Sequence, residues 1–235
     1  AHGVRLWTMA LDLSIHATAH GKPLDAERDW SQRPIKLEPA NLSSLLLAMG
    51  LAYNSDGGRN LCAGVMGLLT SAAHAASAEM AGEIGVPPGA AKITTDPLTY
   101  VTQCRRAAGN LPNDQLTRAA RQCWDQAVSD GERHGFRNLD ISVTPSRRDA
   151  CRILDTEAGG IEPGYALAKF YRPHRGGLTK HMNPQVLSAL CTLGYNPIQI
   201  EDITRHVLGR GTLKTAPGIN HQIMMMAGFD ADAVL

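Results

Sequence analysis

Apolar positions along the chain fall mostly at helical spacing. Over residues 2–20, Val4, Trp7, Leu11 and Ile15 form one stripe, and Leu6, Ala10, Leu13 and Ala17 form a second beside it. So wide an apolar arc predicts a helix buried on more than one side. It begins at residue 2 with no capping lead-in, which suggests either an artificial start of the chain or a start in the middle of a larger architecture, and Gly21 stops it before a polar connector at 22–34. Residues 37–40 read as a short extended piece, followed by a helix that Asn41 or Ser43 caps and Gly50 ends. Ser55 or Asp56 caps the longest helix, about 57–84, with Gly85 at its end. Asp96-Pro97 pairs an N-cap with proline at the first helical position and opens a helix to about Ala108. Asn113 or Asp114 starts the next, with Leu116, Ala120, Cys123, Trp124 and Ala127 on its inner face and Gly135 near its end. Two more helices are predicted near 184–193 and 197–208, and a terminal one contains Met224, Met225 and Met226. That methionine run suits core or interface filling, because Met adapts to irregular gaps.

The pattern changes at Leu139-Asp140-Ile141-Ser142-Val143, which alternates with period two and places Leu139, Ile141 and Val143 on one side of a short strand. Pro145 ends it. A charged loop follows (Ser146-Arg147-Arg148-Asp149), and then a Gly/Pro loop, Gly159-Gly160-Ile161-Glu162-Pro163-Gly164-Tyr165. A strand followed by two such loops is a common way to build an anion site, and a solvated surface turn fits the same spacing. Glu162 is the carboxylate to watch, set in a constrained loop between Gly160 and Pro163. With another extended piece at 166–171, the fold class is mainly α with a few short strands, in a single domain over 1–235.

Composition narrows the function. The chain has 235 residues, 43% of them hydrophobic, enough to fill a core, and only 5% aromatic, which favours closely packed helices. A net charge of +1 argues against a nucleic-acid binder. Residues 61–78 carry no charged side chain, but Thr70, Ser71, His74, Ser77, Gly64 and Gly67 make a buried helix the better reading than a membrane span. The first helix, with Arg5 and Asp12, does not read as a targeting segment. Five widely spaced cysteines (Cys62, Cys104, Cys123, Cys151, Cys191) with no C-x-x-C pair predict a reduced, cytoplasmic protein. His16 and His20 lack a third ligand nearby and read as surface histidines, so no metal site is expected.

Several of these pieces together resemble the C-terminal barrel region of adenosylcobalamin-dependent (class II) ribonucleotide reductases. They include Val4-Arg5-Leu6-Trp7-Thr8, Tyr53-Asn54-Ser55-Asp56, Ser77-Ala78-Glu79-Met80-Ala81, Cys123-Trp124, Gly131-Glu132-Arg133-His134-Gly135-Phe136-Arg137-Asn138, Gly160-Ile161-Glu162-Pro163, Leu193-Gly194-Tyr195 and Ala216-Pro217-Gly218-Ile219-Asn220-His221. The matches are collinear and cover nearly the whole chain. The resemblance implies part of an α/β barrel and a part in reducing ribonucleotides to deoxyribonucleotides by radical chemistry. In the family the radical cysteine sits in an Asn-x-Cys-x-Glu loop, which this chain lacks. Asn60-Leu61-Cys62-Ala63-Gly64 begins like one but has no glutamate and lies within the long helix, so Cys62 reads as core packing and no catalytic residue is expected. The family holds substrate phosphates on backbone amides of a Pro, small-hydroxyl, Gly, Thr loop. Here Pro145 and Ser146 remain while Arg147 and Arg148 replace the last two, so Pro145, Ser146, Arg147, Arg148 and Glu162 are a candidate but degenerate phosphate-binding set. Glu38-Pro39 likewise stands where the family is glycine-rich.

Some members of this class are split. The resemblance therefore implies a non-catalytic small subunit, a component of a ribonucleoside-diphosphate reductase. It would bind no cofactor alone and would dock through its first helix on a large chain that carries adenosylcobalamin and the radical cysteine. The rival is a stand-alone helical regulatory or scaffold protein, a homo-oligomer, descended from a reductase. Neither reading involves nucleic acid or membrane as a partner.

Overall fold

The computed structural model describes residues 1–18, 30–94, 96–143, 153–154, 156, 158–164, 166–172 and 177–234. The chain forms two compact units, one of Ala1–Leu46 with Leu51–Pro163, the other of Leu47–Gly50 with Gly164–Leu235.

The first unit is built around one long helix. Its elements are α1 (His2–Thr18), β1 (Ile35–Leu37), most of α2 (Leu42–Ala48), α3 (Asp56–Ile84), a 3-10 turn (Pro88–Lys92), α4 (Pro97–Ala108), α5 (Gln115–His134) and β2 (Ile141–Val143). Helix α3 starts where Ser55 Oγ accepts from the Gly58 N–H, and ends where Gly85 takes φ 79° and donates to the Ala81 carbonyl. From Ser71 to Ala78 every residue is buried, so the middle of α3 is surrounded by protein. Helix α3 as a whole, Asp56–Ile84, has the length and apolarity of a membrane span by those criteria alone. It is instead the core of this unit, flanked by two hydrophobic clusters.

One cluster joins Ala75 and Ala78 of α3 to Val101 and Ala108 of α4, Trp124, Ala127 and Val128 of α5, and Phe136. The other joins Ala73 to Ile15 of α1, Ile35 and Leu37 of β1 and Ile141 of β2. Close approach of α3 to α5 depends on small residues. A Cβ at Gly64 would come within 2.9 Å of Leu116, and one at Gly82 within 3.2 Å of His134. Because 64 faces 116 and 82 faces 134, the two helices run parallel, with α4 as the return. Helix α5 has a capping box, in which Asp114 accepts from the Thr117 N–H and Thr117 Oγ1 accepts from the Asp114 N–H. Strands β1 and β2 pair in parallel, Ile35 opposite Ile141 and Leu37 opposite Val143. The helices between them supply the long crossover that parallel pairing needs.

The second unit contains an antiparallel pair, β3 (Ala168–Tyr171) with β4 (Thr179–Met182), and the helices α6 (Pro184–Thr192), α7 (Pro197–Leu208), α8 (His221–Met226) and α9 (Ala231–Val234). Asn183 and Asn196 cap α6 and α7, each with proline at the next position. Phe170, Leu178, Leu193, Ile198, Ile219 and Phe229 are exposed.

Several expectations change. The first helix is not buried on two sides: Thr8, Asp12 and Ile15 face inward, while Trp7 and the second stripe (Leu6, Ala10, Leu13, Ala17) face outward. The extended piece expected at 37–40 ends at Leu37, because Pro39 has no N–H for a ladder. Leu139 lies before β2, its N–H donating to the Gln32 carbonyl. Strand β4 had no alternating apolar signal. Met225 and Met226 are exposed, so they fill no core among the described residues.

Candidate functional site

Both parallel strands end on the same side. Pro145, Ser146, Arg147 and Arg148, directly after β2, lie outside the described residues. The loop carrying Glu162 is held by backbone bonds. Asn41 N–H donates to the Ala158 carbonyl (3.1 Å) and Leu42 N–H to the Gly160 carbonyl (3.0 Å). Tyr53 Oη donates to the Ile161 carbonyl at 2.7 Å. Asn41 adopts φ 64° here, a left-handed conformation that Asn tolerates. The Glu162 side chain is exposed and accepts from the Gly159 N–H, so its carboxylate braces its own loop. The first amide of α2 is already taken by Gly160.

A second feature lies along β2. A cleft of about 510 Å³ is lined by the consecutive residues from Asn138 to Val143 and, across from them, by Thr70, His74, Pro97 and Tyr100. His74 Nδ1 lies 2.8 Å from the Thr70 carbonyl. A carbonyl only accepts, so Nδ1 carries the proton of the neutral ring and Nε2 remains an acceptor. Burial holds the His74 pKa below its usual value. The ring sits among Tyr100 (5.6 Å), Trp124 (5.6 Å) and Phe136 (6.2 Å, edge-on). The Tyr100 phenol is pushed up to about 12, first by burial and then by its bond with Cys104. Both groups are therefore neutral near pH 7. They offer hydrogen bonds rather than an acid–base pair.

Behind the cleft is a buried polar network. Asp12 Oδ1 accepts from Arg33 Nε (2.6 Å) and Asn138 Nδ2 (2.9 Å), and Oδ2 accepts from Arg33 Nη2 (2.9 Å). Arg33 Nη2 also donates to the Asp12 carbonyl, and Asn138 Nδ2 to the Arg33 carbonyl. Arg137 Nε stands 3.7 Å from Asp12 Oδ2, its pKa lowered first by burial and next by Arg33. Asp12 and Arg33 are each 2% exposed, and Asn138 1%. The network ties α1 to the approaches of both strands. Sequence reasoning did not assign these residues a role. The available signal was Asp12 standing four after Thr8 and three before Ile15, a lone carboxylate in an inward-facing stripe.

Among the described residues no group of three or more His, Cys, Asp or Glu could hold a metal ion. His16 is exposed, with its ring 5.3 Å from that of Trp30, while His20 and Cys151 lie outside the described residues. Cys62 is half-buried in α3, and burial pushes its thiol pKa up, which disfavours the reactive thiolate. The cleft is in the size range of a drug-sized ligand, and a corrinoid is far larger, so this cleft alone does not enclose adenosylcobalamin.

The chain matches the family model described as the barrel domain of ribonucleotide reductase over residues 1–227. It is 33% identical over 252 residues to the vitamin B12-dependent ribonucleotide reductase of Bradyrhizobium diazoefficiens, covering 99% of this chain and 20% of that protein. The corresponding figures for the Agrobacterium fabrum protein of the same name are 32%, 99% and 20%. For that of Streptantibioticus cattleyicolor they are 33%, over 92% of this chain and 37% of the relative. The chain thus spans about a fifth of the length of the first two relatives, and its few short strands form no closed barrel among the described residues. Its matched residues, helical core and parallel strand pair place it as a fragment-length stretch of that domain: the chain belongs to the ribonucleotide reductase family.

Proposed function

We propose that this chain is a non-catalytic small subunit of a cytoplasmic B12-dependent ribonucleotide reductase. It completes the barrel of a large chain that carries adenosylcobalamin and the radical cysteine. The observation that carries this reading is the outer face of α1, where Leu6, Trp7 and Leu13 are exposed (Trp7 and Leu13 each 67%) on a helix whose other face packs normally. Large exposed apolar groups grouped on one helix face are a docking surface. The neutral groups of the cleft agree with a supporting role, because they supply no proton transfer. Pro145, Ser146, Arg147 and Arg148, together with Glu162, are proposed as the degenerate remnant of a phosphate site whose glycine and threonine have been lost to the two arginines.

The test is to purify the chain and the large reductase chain and to measure adenosylcobalamin-dependent deoxyribonucleotide formation by the large chain with and without this one. A pull-down with and without the cofactor accompanies it. Stimulated reduction and co-purification are expected. Unchanged activity with no co-purification, or a stable homodimer that ignores the large chain, would refute the reading in favour of a stand-alone scaffold.

A further inference from the structure

The loop that precedes Pro163 is held by its carbonyls. Asn41 N–H donates to that of Ala158, Leu42 N–H to that of Gly160, and Tyr53 Oη to that of Ile161. No peptide bond here is cis, and in a planar trans peptide the carbonyl of one residue and the N–H of the next point opposite ways. The amides of Gly159, Ile161 and Glu162 are therefore turned away from the groups that hold the loop. Gly159 N–H donates to the carboxylate of Glu162. The amides of Ile161 and Glu162 have no acceptor among the described residues, and both residues are exposed. Backbone amides turned outward in one short loop are suited to an oxyanion, and here the chain's own carboxylate already stands on one of them.

We propose that the amides of Gly159, Ile161 and Glu162 bind a phosphate group, and that the Glu162 carboxylate is its built-in competitor. The inference rests on the phosphate part of the proposed function and deepens it, without involving the large chain. It gives Glu162 a different part: the carboxylate repels a phosphate and so is not its ligand, but the group that swings off to admit it. Phosphate holds the advantage in that exchange. It carries about −1.5 to −2 charge on three acceptor oxygens and can take several amides at once, while the Glu162 carboxylate takes only that of Gly159. Tyr53 is then a positioning residue, because its hydroxyl keeps the Ile161 carbonyl turned in and the Glu162 N–H turned out.

The test is a titration of the isotope-labelled full chain, once with inorganic phosphate and once with a ribonucleoside diphosphate, at constant ionic strength, with the backbone amides followed by NMR. Saturable shifts at Gly159, Ile161 and Glu162 are expected, and the probe that binds tighter tells a free phosphate from a nucleotide's. Glu162→Ala removes the competitor. If the carboxylate covers the amides about nine-tenths of the time, phosphate affinity should rise about tenfold in that variant. Glu162→Gln keeps the hydrogen bond without the charge and should fall between the two, and it replaces Glu162→Ala if the latter does not fold. An affinity that falls or stays the same on removing the carboxylate overturns the proposal. Shifts confined to Arg147 and Arg148 overturn it and leave the phosphate remnant standing, whereas no saturable shift anywhere overturns both.

Discussion

Removing the Asp12 carboxylate should be the most damaging single change in the first unit. In Asp12→Ala the two bonds from the Arg33 guanidinium and one from Asn138 disappear, while those from Arg33 Nη2 to the backbone carbonyl of residue 12 and from Asn138 Nδ2 to the Arg33 carbonyl remain. Arg33 Nη1 has no hydrogen-bond partner among the described residues, so it offers no bond in compensation. Two guanidiniums, Arg33 and Arg137, are then left together with no anion between them. Breaking a buried ion pair from one side costs about 3–5 kcal/mol, which is a large share of a typical folding stability of roughly 5–15 kcal/mol. The converse change, Arg33→Met, should cost less, about 2 kcal/mol, because Asp12 keeps the Asn138 bond and has Arg137 within reach. Arg33 sits at φ 51°, and Met there keeps the same backbone strain, so the comparison isolates the charge. The double variant Asp12→Leu with Arg33→Met should fall within about 1 kcal/mol of the original, since replacing a buried pair by apolar groups is often neutral. Urea unfolding followed by circular dichroism and by the fluorescence of buried Trp124 measures all three. A loss below about 1.5 kcal/mol in Asp12→Ala, or a double variant as unstable as the sum of the singles, would refute the reasoning.

Gly131→Ala should destabilise by about 1–3 kcal/mol, because its Cβ would stand 2.4 Å from Cζ of the buried Phe136 ring; combining it with Phe136→Leu should cost less than the two singles added, in the same unfolding assay. The His74 pKa is lowered in the fold, so below about pH 6.5 the unfolded chain takes up a proton that the folded one refuses. Stability should therefore fall as pH drops below 6.5, at up to about 1.4 kcal/mol per pH unit from this group, and a pH series on His74→Gln that keeps the same slope would contradict the assignment. Glu79→Gln should change stability by less than about 1 kcal/mol and lose even that in high salt, because the Arg5–Glu79 pair is 41% and 38% exposed; a larger, salt-insensitive loss in unfolding experiments would show otherwise.

The sequence was most legible where local chemistry decides structure. Ser55, Asp96, Asp114, Asn183 and Asn196 are helix caps that can be read from residue type and spacing, and Gly85 and Gly135 close their helices as the pattern predicts. Strand limits were less legible. Thr179-Lys180-His181-Met182 becomes a strand through pairing with 168–171 and has no alternation of its own. The outer face of α1 is exposed although its stripe reads as buried, because helical spacing of apolar residues does not say what, if anything, covers them. In the network of Asp12, Arg33 and Asn138 only the lone Asp12 carboxylate in its apolar stripe is a sequence signal, since its partners are 21 and 126 residues away and meet only when the fold is complete. The strand-then-loop pattern pointed to an anion site and the resemblance singled out its residues, of which only Glu162 lies in the described structure.

The parallel pairing of Ile35 with Ile141 also sets an order of events in time. The helical block between them makes its contacts within 56–134, with the α3–α5 seam offset by 52 positions, whereas the strand pair must close a span of 106. Loop closure grows costlier with length, and local helical contacts form fastest. Helices α3 to α5 thus assemble first as a nucleus, and the β1–β2 ladder zips last. The edges of this strand pair come into existence only at the final step, so they stand open to mispairing for the shortest part of folding.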